Sequence, residues 1–183
     1  MSLQVHQFQC LSDNYGFLIH DPESGDTASV DTPEATAINA ALEEKQWRLT
    51  HIFNTHHHFD HAGGNEELKA KWGCKIIGFD GDFERIPGID HRVRENDLIE
   101  FGGTTARVIE VAGHTSGHVA YHFESDQMVF VGDTIFALGC GRLFEGTALQ
   151  MWESLEKLMS LNDDTIVYCA HEYTQANAAF ALS

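Results

Sequence analysis

Thr55-His56-His57-His58-Phe59-Asp60-His61 follows directly on the run His51-Ile52-Phe53-Asn54, and imidazoles and carboxylates crowd positions 56 to 61. A packed strand or helix gains nothing from adjacent imidazoles, whereas borderline divalent cations such as zinc prefer these two ligand types. Where a strand runs out into a loop, alternate residues turn to one side. His56 and His58 are therefore expected to face one point and His57 to face away. Ala62-Gly63-Gly64, just beyond, lets backbone pass close to such a site. The competing reading is a solvated histidine tract. Against it stands Asp60 beside His61 at the end of an apolar strand.

Working outward, three more strand-like runs each end in a ligand type. Residues 105–111 run into Gly113-His114, residues 128–131 into Gly132-Asp133, and residues 165–169 into Ala170-His171. Residues 3–8, 16–20 and 27–31 read as an antiparallel meander, and residues 74–79 as a further buried strand. Residues 98–101 pair with 105–111, and 119–123 with 128–131, as hairpins. Thr32 reads as a helix N-cap with Pro33 in the first turn, and Ala35, Ile38, Ala41 and Leu42 recur at helical spacing. A second helix covers residues 65–72 and stops at Gly73. A third starts at Thr147, with Leu149, Trp152, Leu155, Leu158 and Met159 expected on its core-facing stripe. Residues 80–97 read as irregular and receive no chemistry.

With 183 residues and 43% hydrophobic content, the chain suits one substantial core. Its 11 Lys+Arg against 28 Asp+Glu give a net charge of −17, which opposes nucleic acid and anionic membranes as partners. Such a surface also repels an anionic substrate, so the site needs positive charge of its own. No apolar run reaches membrane-spanning length and the N-terminus lacks the pattern of a secretory leader. Cys10, Cys74, Cys140 and Cys169 are far apart and form no CxxC, which argues against a disulfide framework or zinc ribbon. A cytoplasmic protein is expected.

His56-x-His58-x-Asp60-His61 resembles the signature of the metallo-β-lactamase superfamily. The longer string from Thr55 to Asn65 is similar to its glyoxalase II branch, the hydroxyacylglutathione hydrolases. Asp13-Asn14-Tyr15 and the run Gly139-Cys140-Gly141-Arg142 resemble that branch as well. The resemblance implies an α/β fold, the four-layer αββα sandwich, over residues 1–173. Residues 174–183 would open a C-terminal helix, the branch's helical domain being absent. It further implies two divalent cations, zinc first, with iron and manganese served by the same ligands. His56, His58 and His114 would hold one, Asp60, His61 and His171 the other, and Asp133 would bridge them. A carboxylate has two oxygens to share, whereas an imidazole bridges only by losing its second proton. Asp60 and Asp133 then stand at the reacting centre. Arg142, Phe144 and Tyr173 would meet the glutathione moiety, Phe144 standing where some members have tyrosine. An ion pair with Glu145 is the competing reading for Arg142. His118 would support the ligands, and His57 and His122 would not bind metal.

The implied reaction is hydrolysis of S-2-hydroxyacylglutathione, typically the D-lactoyl thioester, to a 2-hydroxy acid and glutathione. Water between two cations is acidified to near neutrality, so metal-bound hydroxide would attack the carbonyl while a cation stabilises the oxyanion. A monomer acting on a small molecule is expected, with glutathione held weakly without the helical domain. A rival within the fold is a persulfide dioxygenase using one iron on His56, His114 and Asp133, and Leu143-Phe144-Glu145-Gly146-Thr147 favours the hydrolase over it. A non-catalytic metal-binding module is the remaining alternative, and the complete ligand set argues against it.

Overall fold

Alternation along the strands decides the layers. In a computed structural model describing residues 2–183, β1 (Gln4–Cys10), β2 (Asn14–His20) and β3 (Thr27–Val30) form an antiparallel meander. β4 (His51–Phe53), β5 (Lys75–Phe79) and β6 (His91–Val93) extend it in parallel, in the order β1-β2-β3-β4-β5-β6. A second sheet contains β7 (Leu98–Phe101), β8 (Thr104–Glu110), β9 (Val119–Phe123) and β10 (Met128–Gly132). Two short strands, β11 (Ile135–Phe136) and β12 (Gly139–Cys140), pair with each other, and β13 (Ile166–Cys169) adds to β10 in parallel.

Phe17, Ile19, Phe53 and Ile77 point inward from the first sheet and meet Val108, Tyr121, Phe123 and Phe130 of the second in the central core. Their strand neighbours Leu18, Ile52 and Ile76 point outward instead and pack with Ile38, Leu42 and Leu68. Those three lie on α1 (Ala35–Lys45) and α3 (Asn65–Trp72), which cover the first sheet. Ala120, Val129 and Val131 face out from the second sheet toward Leu158 of α4 (Ala148–Met159). Two helical layers thus enclose two sheets, the αββα order expected from the sequence. Among the described residues no helix is long and apolar enough to cross a membrane.

Three local expectations change. The N-cap of α1 is Glu34, and the Thr32 hydroxyl donates instead to Asn65 Oδ1 at 2.7 Å, tying the start of α1 to α3. Thr147 does cap α4, in a reciprocal box with Gln150, but the expected core stripe is displaced. Leu149, Trp152 and Met159 are exposed while Met151 and Ser154 are buried, because α4 sets Met151 against Gly113 and Ser154 against the carbonyl of Ala112. Residues 80–97 are more ordered than they read, holding a 3-10 turn at Asp80–Asp82 as well as β6.

The strands deliver the predicted ligands to one rim. The short helix α2 (Phe59–Ala62) begins directly after His58, turning Asp60 and His61 back toward β4. β10 ends at Gly132 with φ +50°, a conformation that glycine reaches freely, and a Cβ there would press on Thr55 and His118. The turn aims Asp133 into the rim. α5 (Thr174–Ala181) closes the described chain beside it.

Candidate metal centre

Seven side chains converge. His56 Nε2 and His114 Nε2 each lie 3.1 Å from His58 Nδ1. Next to them, His61 Nε2 lies 3.3 Å from His171 Nε2, and Asp60 Oδ2 is 3.5 Å from both. Between the two clusters stands Asp133. Its Oδ2 is 3.3 Å from His114 Nε2, while Oδ1 is 3.4 Å from His61 Nε2 and 3.3 Å from His171 Nε2. The expected alternation holds in the tract: His57 turns away, toward Asp82.

Ring tautomers test whether cations fit. His114 Nδ1 lies 2.8 Å from the Arg142 carbonyl, which only accepts, so Nδ1 carries the proton and Nε2 presents a lone pair. His61 Nδ1 likewise donates to Asp31 Oδ2 at 2.8 Å, and His171 Nδ1 to Asp13 Oδ1 at 3.0 Å. As neutral rings, His61 and His171 would then turn nitrogen lone pairs on one another at 3.3 Å, an arrangement that a cation or a proton between them resolves. Asp133 Oδ1, buried, has no hydrogen-bond partner among the described residues. Buried polar atoms normally have partners. The donor set therefore fits divalent metal binding, and imidazole with carboxylate suits zinc, iron and manganese alike.

The electrostatics agree. Burial holds the His56 pKa well below its usual value, and burial does the same more mildly at His58 and His114, keeping these rings neutral and able to ligate. At His61 burial acts in the same direction, but Asp31 and Asp133 outweigh it and raise the pKa well above 6.5. Asp133 is pulled down to about 2: burial opposes ionisation, and His61, His171 and His114 overcome it. Asp60 is also held below the usual carboxylate range, first by its bond with His61. This half of the rim attracts positive charge, and a cation would satisfy it as a proton does.

Supporting residues brace the ligands, and the role of Asp31 among them escaped the sequence reading. Asp31 accepts from Thr55 N and Thr55 Oγ1, both at 2.7 Å, besides orienting His61. Asp31, His56 and His61 are close enough to form a third potential ligand group, yet Asp31 meets the far nitrogen of His61 and so braces the ring. Asn14 Nδ2 donates to the carbonyl and to Oδ2 of Asp60, at 3.2 and 3.3 Å. His118 Nε2 accepts from Asp133 N at 3.1 Å, and burial lowers its pKa to about 3. The only signal for Asp31 was its place at a strand end, the same place that pointed to Asp133.

A cavity of about 780 Å³ opens over the rim, lined by Asp133, His58 and His171 together with Arg142, Phe144, Tyr173 and Asn177. Its size is that of an ordinary small-molecule site. Phe144 sets its ring 5.2 Å from that of His114 and 5.7 Å from that of His58, and Tyr173 stacks on His171 at 5.0 Å. A Cβ at Gly141 would collide with the Asp133 carbonyl, so this loop can approach the ligands only as glycine. Glu145 pairs with Arg85 at 2.6 Å and not with Arg142, whose local ion pair was the competing reading.

The profile of the metallo-beta-lactamase superfamily matches residues 24–171. A hydroxyacylglutathione hydrolase of Maricaulis maris is 58% identical over 99% of the chain, which spans 71% of that protein. The crystal structure of ETHE1 from Myxococcus xanthus superposes with a TM-score of 0.82 at 29% identity, over 94% of this chain and 76% of that one. The BLEG-1 B3 metallo-beta-lactamase superposes with a TM-score of 0.84 at 21% identity, over 92% of both chains, a likeness of fold alone.

Proposed function

The chain belongs to the metallo-beta-lactamase superfamily, and from that premise we propose that it is a metal-dependent thioester hydrolase that cleaves S-2-hydroxyacylglutathione, such as the D-lactoyl thioester, to a 2-hydroxy acid and glutathione. The observation that carries the reading is Asp133, whose two oxygens each face a separate histidine cluster. His56, His58 and His114 would hold one divalent cation, and Asp60, His61 and His171 a second, with Asp133 shared. Zinc is the metal we propose for both. Bound cations would supply Lewis acidity, making water a stronger acid and a thioester carbonyl a better electrophile.

The chain's own groups do the rest. Asp31 and Asp13 fix the tautomers of His61 and His171, holding the ligating nitrogens inward. Asp60, ionised and braced by Asn14, is too weak a base to keep a proton at neutral pH. It orients the attacking water by accepting its hydrogen bond. Arg142 gives the otherwise acidic chain a cationic group at the cavity, suited to a glutathione carboxylate. Phe144 and Tyr173 wall the cavity beside the ligands. The departing thiolate of glutathione is a competent leaving group, so no protein acid is required at sulfur.

The hydrolase reading is favoured over an iron dioxygenase by curated relatives named hydroxyacylglutathione hydrolase at 54–58% identity. Metal analysis of the purified protein, combined with an S-D-lactoylglutathione hydrolysis assay before and after chelation, tests it. Two cations per chain and activity restored by zinc are expected. Oxygen uptake on a glutathione persulfide without thioester cleavage would overturn the reading.

A further inference from the structure

Residues 141–146 carry Arg142 and Phe144 to the cavity without forming helix or strand. Their backbone is tied at both ends: Gly141 N donates to the Thr134 carbonyl at 3.2 Å, Phe144 N and Glu145 N to the His114 carbonyl at 3.1 and 3.4 Å, and Gly146 N to that of Gly113 at 3.1 Å. The Glu145 side chain adds a link to a different part of the molecule. Its carboxylate accepts from Arg85 Nη1 at 2.6 Å and Nη2 at 3.3 Å, and from Ser116 N and Oγ at 2.8 and 2.7 Å.

Arg85 is itself fixed. It donates to Asp82 Oδ1 through Nη2 at 2.6 Å and Nε at 3.2 Å, and Asp82 is buried against Gly117, where any Cβ would collide with its carboxylate. Arg85 Nη1 also donates to His57 Nε2 at 3.2 Å, which leaves His57 Nδ1 to donate to Asp82 Oδ2 at 3.2 Å. One guanidinium therefore joins the metal tract, through His57, to the turn at Asp82 and to the loop that carries Phe144. His57, turned away from the ligands, has its partners here.

We infer that Arg85 and Glu145 are positioning residues that latch the loop at residues 141–146 over the cavity and so set the affinity for the glutathione part of the substrate. The inference rests on the thioesterase reading above. Charge-assisted pairs with forked geometry hold position as well as contribute energy, and loss of positioning away from the reacting bond appears in KM before kcat.

The test uses the metal-loaded chain and the variants Glu145→Gln, Arg85→Met and Arg85→Lys. For S-D-lactoylglutathione, Glu145→Gln and Arg85→Met should each raise KM about fivefold with kcat within about twofold and metal content unchanged. The double variant should be no worse than either single one, and Arg85→Lys should fall between Arg85→Met and the parent. S-lactoyl-N-acetylcysteamine, which has the thioester but none of glutathione's carboxylates, should be hydrolysed equally by all. Hydrogen exchange at the Phe144 and Gly146 amides should quicken in the variants while Val119 stays protected.

Equal impairment on both thioesters, loss of metal, or unchanged KM with unchanged exchange would overturn the latch. A parent protein that cleaves neither thioester would overturn the proposed function instead, and the exchange measurement would still judge the latch.

Discussion

Asp31 Oδ2 accepts a hydrogen bond from Nδ1 of His61 at 2.8 Å, across 30 residues of sequence, and this single contact decides which nitrogen of His61 faces His171, Asp60 and Asp133. Asp31 achieves it with φ +58°, a left-handed backbone that aspartate tolerates better than most residues. Its other oxygen accepts from Thr55 N, so the residue that orients His61 also fixes the start of the histidine tract.

Asp31→Asn keeps the shape and removes the charge. It should weaken metal affinity about 10- to 100-fold, as loss of a buried partner to a ligating histidine does, while far-ultraviolet circular dichroism stays unchanged. Competition with a chromophoric chelator measures this directly. An affinity equal to that of the parent would mean that His61 keeps its orientation without Asp31.

Metal removal should also cost stability. A ligand that binds only the folded chain at about a thousandfold over its Kd adds about 4 kcal/mol. For a chain of this size that corresponds to a fall in Tm of about 8–16 °C on stripping with a chelator. Differential scanning calorimetry with and without added zinc checks it, and coincident transitions would contradict the metal-centre assignment.

Legibility in the sequence followed the range of the physics involved. The alternation that turns His56 and His58 together is local to the tract, and the structure shows it at 3.1 Å. The strand ends that supply His114, Asp133 and His171 are equally local features. The bracing roles of Asp13, noted only within a family-like segment, and of Asp31 were not legible because their histidine partners lie 158 and 30 residues away. Arg85 was missed for the same reason, its pairing with Glu145 spanning 60 residues. In α4 the helical period identified an apolar stripe, but period alone cannot say which face meets the sheet. Met151 and Ser154 pack, leaving Trp152 exposed.

Tyr121 links the central core to the metal tract. Fully buried, it donates its hydroxyl to the Asn54 carbonyl at 2.7 Å, two residues before His56. Tyr121→Phe leaves that carbonyl to its remaining contacts and should cost about 1–2 kcal/mol. Urea unfolding of the metal-free protein should show a lower midpoint at unchanged slope. Loss of metal affinity beyond about twofold would show that the hydroxyl also sets ligand geometry.

The last prediction concerns acid. Hydrogen bonding from Arg85, then from Ser116, holds the Glu145 carboxyl at about 2, against 4.5 when unconstrained. The folded chain thus binds fewer protons at this site than the unfolded chain wherever pH lies between these values. Glu145 therefore contributes its full stabilisation above about pH 4.5 and loses it as pH falls toward 2. Because the pair is partly exposed, water screens it and the contribution is about 1 kcal/mol, well under what an unscreened shift of that size would give. Metal-free parent and Glu145→Gln should differ by about that amount at pH 5.5, and the gap should shrink steadily toward pH 3.5. Working without metal keeps protonation of the histidine ligands common to both proteins. Urea midpoints across this range measure the gap, and a gap that is constant or widens as the pH falls would show that Glu145 is not held ionised by Arg85.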